Sequence, residues 1–209
     1  GSLTSACDLV SQIVKLSSLK HLALDLHGCA ALISAWPSDG LPLILNRLLV
    51  LSISFSKCVR LTSLCGLAAT IQRLRQLTTL QIEVCGCLEL RNLDDLGSAI
   101  GQLEALDVLD LNFSRCTRLG LGDSFWANFQ RCRALRMCRV NVAHCRGINS
   151  VAGLARSLGD LPGLSSMQLN CYYCCGLPPH LQWRFASLVA FSAALAKGGR
   201  GLRCVRGAD

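Results

Sequence analysis

The stretch LTTLQIEVCGCLEL, residues 77–90, decides the fold of this chain. Leu80, Ile82 and Val84 stand two residues apart in it, a spacing typical of a half-buried β-strand. The same frame recurs every 29 residues without a gap, and each copy has a cysteine at the position of Cys87. These residues, called the ladder cysteines below, are Cys29, Cys58, Cys87, Cys116, Cys145 and Cys174.

Each unit also contains a helical pattern. Leu67, Ile71 and Leu74 are spaced four and three residues apart, which predicts one face of a helix. The pattern returns within residues 96–106 and 154–164. One unit is therefore predicted to be strand, turn and helix, and its apolar edge can be buried only by stacking on the next unit.

The frame L-x-x-L-x-L followed by a cysteine, in units of 29 residues, resembles the leucine-rich repeat family in a cysteine-containing variant. The resemblance covers residues 3–177. It implies an α/β fold, a right-handed solenoid with a parallel concave sheet of about six to seven strands and with convex helices. Cysteine replaces the asparagine that is common in that family's turn, and the apolar alternation runs one residue longer here. The resemblance is nearly silent on the ligand.

The repeat pattern divides the chain into two predicted parts. Residues 1–177 hold a half repeat followed by six regular repeats, and residues 178–209 form an irregular last repeat or a C-terminal cap. Pro178 and Pro179 stop the pattern, and an amphipathic run with helical spacing covers residues 181–195. Because the chain begins inside the helical half of a unit, we expect it to be part of a larger protein or complex.

Packing accounts for the ladder cysteines. A cysteine at this position points into the stack, where its weak S–H donor can meet backbone carbonyls of the turn. Disulfides between neighbours are not expected, because side chains that project in parallel would have to turn towards one another. Reduced thiols and the lack of a visible signal peptide favour an intracellular, cytoplasmic location. The apolar runs are too short or too interrupted to predict a membrane span.

The strand residues that alternate with the buried columns are expected to carry function, because they face the concave side. They form a polar surface that is nearly free of aromatic residues and suits recognition of a protein surface or an extended segment. For any one of them, a merely solvated sheet face is the alternative. The predicted partner-binding residues are Asp25, Ser54, Gln81, Glu83, Asp110, Asn112, Arg139, Asn141, Gln168, Asn170 and Tyr172.

The formal net charge of +8 gathers on the turns beside the strands. Such rims steer acidic partners towards a protein over a long range. Nucleic acid is the less favoured partner, because no aromatic residues are interleaved with the basic clusters for base stacking. The predicted basic rim consists of Lys57, Arg60, Arg115, Arg118 and Arg146.

Catalytic and metal-binding patterns are hard to find in this sequence. The four histidines lie at no triad or metal-ligand spacing, and no glycine-rich loop opens a helix. A C-x-x-C spacing brings Cys171, Cys174, Cys175 and His180 nearest to a zinc site, but packing in the frame already explains two of these cysteines. No catalytic residue, cofactor or metal is predicted.

Together these patterns predict a non-enzymatic scaffold or adaptor that recognises a protein through the concave sheet and the basic rims. The first alternative is a nucleic-acid-associated protein that uses the arginine-rich rims. The second is the substrate-recognition arm of a ubiquitin ligase, which the resemblance to cysteine-type repeats of F-box proteins allows. The sequence leaves the oligomeric state undetermined.

Overall fold

A computed structural model gives the architecture of the chain. In its described part, a seven-stranded open sheet and four α-helices form an α/β fold. The strands lie in the sheet in the order in which they occur along the chain. The described residues are 13, 16, 18–33, 36, 45–182, 184–185, 189, 191 and 193.

Six strands are parallel and share one register. Each strand residue pairs with the residue 29 positions further along, as Leu22 does with Leu51 and Leu51 with Leu80. The sequence period is thus also the register of the sheet. The strands are β1 (His21–Asp25), β2 (Val50–Ser54), β3 (Thr79–Glu83), β4 (Val108–Asn112), β5 (Met137–Asn141) and β6 (Ser166–Asn170).

A short helix follows each of β2 to β5. The helices are α1 (Cys65–Ile71), α2 (Asp94–Ile100), α3 (Asp123–Ala127), which a 3-10 helix (Asn128–Arg131) continues, and α4 (Ala152–Gly159). They are shorter than the predicted apolar faces. After α1 the chain continues in turns, where the N–H of Leu74 donates to Ile71 O at 2.9 Å and that of Leu77 to Leu74 O at 3.0 Å. None of the helices in the described residues is long and apolar enough to cross a membrane.

The core lies between the sheet and the helices, and successive units contribute equivalent positions to it. Leu80 and Ile82 of β3 are buried, as are their counterparts Leu109 and Leu111 of β4. On the helical side one unit has phenylalanine at two positions where its neighbours have leucine or isoleucine, and tryptophan where they have glycine or alanine. The rings of this core aromatic cluster pack edge to face, with centroids 4.8 to 6.1 Å apart, and belong to Phe113, Phe125, Trp126 and Phe129.

The last strand corrects the prediction for the end of the chain. After a 3-10 turn at Pro179–Leu181, β7 (Arg184–Phe185) pairs with β6 in the antiparallel direction. The predicted helix is wrong at residues 181, 182, 184 and 185, and the seventh strand of the described sheet is antiparallel. Leu181 and Phe185 are nevertheless buried, so their apolar spacing is satisfied by a turn and a strand instead of a helix. The free edge of β6 supplies the backbone partners that favour a strand here.

Parts of the predicted pattern lie outside the described residues. The N-terminal half repeat is one of them, although Ile13 within it is helical and buried. Trp36, which follows the first ladder cysteine, is buried, and its indole N–H donates to Thr70 Oγ1 at 2.8 Å. At the other end, residues 189, 191 and 193 are helical.

Candidate interaction surfaces

The buried ladder cysteines donate their thiols to the neighbouring unit. Cys58 Sγ lies 3.2 Å from Leu26 O, and Cys116 Sγ lies 3.0 Å from Val84 O. Three further ladder cysteines make the same bond to the carbonyl 32 residues earlier. The prediction that these thiols meet turn carbonyls is confirmed, and the twelve cysteines that the structure describes are free thiols.

The residues considered for zinc are placed differently from one another. Cys171 and Cys174 are buried, whereas Cys175 is exposed and His180 half-buried. The Cys174 thiol donates to Val142 O at 2.9 Å, and burial raises the pKa of Cys174 to about 11. Within the described residues, no three His, Cys, Asp or Glu side chains are grouped so that they could hold a metal ion.

Thiol alkylation should separate buried from exposed cysteines. Burial raises the pKa of Cys132 to about 12 and that of Cys138 to about 12, from an ordinary value of 9.0. Since the thiolate is the nucleophile, a rise of about three units lowers its amount at pH 8 roughly a thousandfold. We expect N-ethylmaleimide to modify the exposed Cys65 and Cys175 of the native protein far faster than the buried Cys132 and Cys138. Peptide mapping by mass spectrometry measures the difference. Equally fast labelling of Cys132 would contradict the packing described above.

The open face of the sheet, defined as the first, third and fifth residues of β1–β6, holds ten of the eleven predicted partner-binding residues. All positions of this face are at least partly exposed. The structure therefore brings these ten side chains onto one surface. Tyr172 is the exception, because it lies in the turn that follows β6.

The fifth residue of each strand has a structural role in several units. Asp25 Oδ1 accepts the N–H of His27 at 3.0 Å. The amide oxygens of Asn112, Asn141 and Asn170 each accept the N–H two residues later at 3.2 Å. These are Asx-type bonds, which satisfy the backbone where the strand turns away. Turn formation thus explains most of the polar side chains at the fifth position of the strands.

The third residues of the strands form the middle column of the open face and determine which groups it offers to a partner. In this column Asp110 and Arg139 of neighbouring strands form an ion pair, with 3.6 Å between Oδ2 and Nη1. Gln81 and Gln168, on either side of this pair, are exposed. The middle column therefore presents amides that are available for hydrogen bonds and a single internally neutralised pair.

Two shallow grooves divide the open face by charge. The groove over β1–β4, about 590 Å³, is lined by Asp25, Glu83 and Asp110 among others. The groove over β4–β7, about 490 Å³, is lined by Arg139 and Arg184 together with asparagine and glutamine side chains, and Asp110 lies at the border of both. One end of the face is thus acidic, and the other carries two guanidinium groups, of which Arg139 is paired with Asp110.

Arg184 and Phe185 were not among the residues predicted from the sequence. They reach the second groove because β7 pairs with β6, where Arg184 stands opposite Asn170. The helical spacing of residues 181–195 concealed this strand, and no local signal in the sequence identifies it.

The residue before each ladder cysteine adopts a left-handed backbone conformation. The φ angles are +72° at Gly28, +61° at Lys57, +73° at Gly86, +62° at Arg115, +61° at His144 and +55° at Tyr173. These six residues are called the turn row. For a residue other than glycine this conformation costs roughly 1–2 kcal/mol. The two glycines of the row are the sequence signal that could have identified it.

The turn row ends in a cluster of rings that the sequence analysis did not predict. The His144 ring stacks on Tyr173, with centroids 4.9 Å apart and 29° between the planes. The rings of Tyr172 and Tyr173 have centroids 4.2 Å apart. These three residues form the edge aromatic cluster. It continues the line of turns in which the five exposed residues of the predicted basic rim also lie.

No model of a known protein family matches the chain. No curated protein matches it either. The chain itself offers two candidate surfaces, the open face of the sheet and the row of turns that follow its strands.

Proposed function

We propose that the chain is a non-enzymatic scaffold of the leucine-rich repeat type that recognises a protein partner through the open face of its sheet. In this proposal β1–β6 line the concave side of a right-handed solenoid and the helices lie on its convex side. The shared register of β1–β6 at the repeat period supports such an arrangement, because each unit then contacts only its neighbours.

The change of charge along the open face is the observation that carries this proposal. Neighbouring strands lie about 4.8 Å apart, so β1–β6 cover about 24 Å. An extended partner segment that crosses the strands meets Asp25 and Glu83 at one end and Arg184 at the other, with the neutralised pair Asp110–Arg139 between them. We therefore expect a segment with basic residues at one end and acidic residues at the other. Complementary charge of this kind gives specificity and fixes the register of binding.

The exposed amides of the middle column complete the recognition surface. Gln81 and Gln168 can each donate and accept hydrogen bonds, which suits the backbone of an extended segment. The free thiols of the described residues support a reducing, intracellular and cytoplasmic setting. A substrate-recognition arm of a ubiquitin ligase is a special case of this proposal and would use the same face.

The test introduces the wrong charge into each groove. Gln81→Arg places a cation in the acidic groove, and Gln168→Glu places a carboxylate in the groove with Arg139 and Arg184. Both side chains are exposed, so the fold should tolerate the changes. We expect the double variant to lose at least about tenfold in affinity for a partner that is captured from the native source at stoichiometric level and then purified.

The control places reversed charge on the basic rim instead. Arg60→Glu, Arg115→Glu and Arg118→Glu together leave the open face unchanged, so they should leave the affinity for a protein partner largely intact. Isothermal titration calorimetry measures the affinity of both variants for the partner. The proposal is wrong if the partner tolerates the groove variant and is lost by the rim variant, or if no protein associates stoichiometrically.

A further inference from the structure

The edge of the sheet at the carboxyl ends of its parallel strands combines positive charge with exposed rings. The turns that follow β2–β6 contain all five cations of the basic rim and a single carboxylate, Glu89. Among the described residues, Arg118 is the rim cation that pairs with a carboxylate, and its partner is Glu89. The edge therefore keeps an excess of positive charge, whereas the open face carries charges of both signs.

The conformation of the turn row indicates that its side chains serve something other than stability. Glycine adopts a positive φ without steric cost, and two members of the row are glycines. The other four are Lys57, Arg115, His144 and Tyr173, and of these only His144 belongs to the residue types, Asn, Asp and His, that adopt this conformation most often. Strain of this kind is concentrated at functional sites. The row thus retains cationic and aromatic side chains at a cost in stability.

The edge aromatic cluster supplies the second half of a recognition surface. Tyr172 is 42% exposed and Tyr173 is 52% exposed. The His144 ring stacks on Tyr173, and Arg146 follows His144 by two residues on the same turn. Cations along a line together with exposed rings are the combination that binds single-stranded nucleic acid. An acidic peptide would use the cations and leave the rings without a role.

We propose that this edge binds single-stranded nucleic acid. Phosphates contact Lys57, Arg115 and Arg146, and a base stacks on Tyr172 or Tyr173. An unpaired strand fits better than a duplex, because only unpaired bases can turn towards the rings. This surface is separate from the open face of the sheet, and the proposal does not depend on the protein partner proposed above.

The spacing of the row suits such a strand. The backbone continues the sheet through the turns, since the N–H of Lys57 donates to Cys85 O at 2.7 Å and that of His144 to Tyr172 O at 2.8 Å. Consecutive members of the row are therefore about 4.8 Å apart, and Lys57 to Tyr173 spans about 19 Å. Single-strand binding sites commonly cover a few nucleotides or more, which matches this length.

The experiment uses glycine substitutions, which remove a side chain and relieve backbone strain at the same position. Binding of fluorescein-labelled oligo(dT) is measured by anisotropy between about 50 and 200 mM salt. Arg115→Gly should weaken binding and reduce the slope of log affinity against log salt by about 0.7, because one phosphate contact is lost. Tyr173→Gly should weaken binding about five- to 150-fold and leave that slope unchanged.

The stability of the same variants separates loss of function from loss of fold. Both glycine variants should have a thermal midpoint that is unchanged or a few degrees higher, because the left-handed turn no longer carries a side chain. The matched control is Arg133→Ala, which removes one exposed positive charge before β5 instead of after it. This control should retain both affinity and salt slope.

Three outcomes would overturn the proposal. The first is the absence of saturable binding of oligo(dT) at low salt. The second is equal affinity of the wild-type protein and Tyr173→Gly. The third is tighter binding of poly-glutamate than of oligo(dT), with dependence on Arg115 alone, which would assign the edge to an acidic protein partner.

Discussion

Replacing Cys87 with Asp is expected to unfold the repeats around it. The side chain of Cys87 is 0% exposed, and its thiol donates to Phe55 O at 3.2 Å. An ionised carboxylate there has no proton to donate and faces the carbonyl oxygen without water. Burying an unpaired charge costs several kcal/mol, which is a large part of the roughly 5–15 kcal/mol that stabilises a typical domain. Urea denaturation followed by circular dichroism measures the loss.

The pH dependence of this defect has a definite sign. Burial should raise the pKa of the new carboxyl in the folded state above its unfolded value of about 3.9. The folded variant then binds more protons than the unfolded one between these two values, so its stability falls as the pH rises through them. The difference in unfolding free energy between the wild-type protein and Cys87→Asp should therefore shrink as the pH is lowered towards 4.

The matched control is the same substitution at the exposed Cys65. This residue begins α1, where a negative charge is favourable, so Cys65→Asp should change the unfolding free energy by less than about 1 kcal/mol. Comparable free energies for wild-type protein and Cys87→Asp would mean that the ladder position tolerates a charge. The packing role of the ladder cysteines would then have to be abandoned.

Phe125→Ala should cost about 3–5 kcal/mol of unfolding free energy. Phe125 is 0% exposed and contacts three other rings of the core aromatic cluster, with centroids 6.1 Å from Phe113, 4.8 Å from Trp126 and 5.4 Å from Phe129. Alanine at this position would leave a cavity that the three surrounding rings cannot close without moving. Denaturant titration gives the loss directly, and the exposed Tyr172→Ala should change stability by less than about 1 kcal/mol.

The neighbouring unit provides a second measurement of the same packing. A Cβ atom at Gly97 would lie 2.7 Å from Cδ2 of Phe125 and 2.9 Å from its carbonyl oxygen. Gly97→Ala should therefore cost about 1–3 kcal/mol in the wild-type protein. In the Phe125→Ala background the cost should be smaller, because the ring contact is gone while the backbone contact persists. Additive effects of the two substitutions would contradict direct packing between them.

The positions of the strands could be read from the sequence because each unit repeats the same short pattern. Leu80 and Ile82 are buried and their neighbours Gln81 and Glu83 are exposed, as the alternation predicts. The prediction failed at Phe185, where a buried apolar residue at helical spacing belongs to a strand. Periodicity reports which side chains are buried, but the backbone at a sheet edge also follows the hydrogen bonds that the edge offers.

The sequence predicted which residues share the open face, but not which of them are free to bind a partner. Alternation alone places the open-face residues on one side of a strand, and their gathering on one surface follows from the register. The sequence predicted Asn170 as a partner-binding residue, whereas in the structure its side-chain oxygen accepts the N–H of Tyr172. Such a bond depends on how the turn folds, and residue type does not distinguish it from a bond to a partner.

The sequence by itself determined the repeat period, the parallel register and the buried columns, because the same local apolar pattern occurs in each of six units. Only the tertiary structure decided that β7 carries Arg184 to the open face and that His144 and Tyr173 share a row with Lys57 and Arg115. These side chains are far apart along the chain. They come into one row because the backbone bonds of stacked turns place consecutive equivalent positions one strand spacing apart, about 4.8 Å.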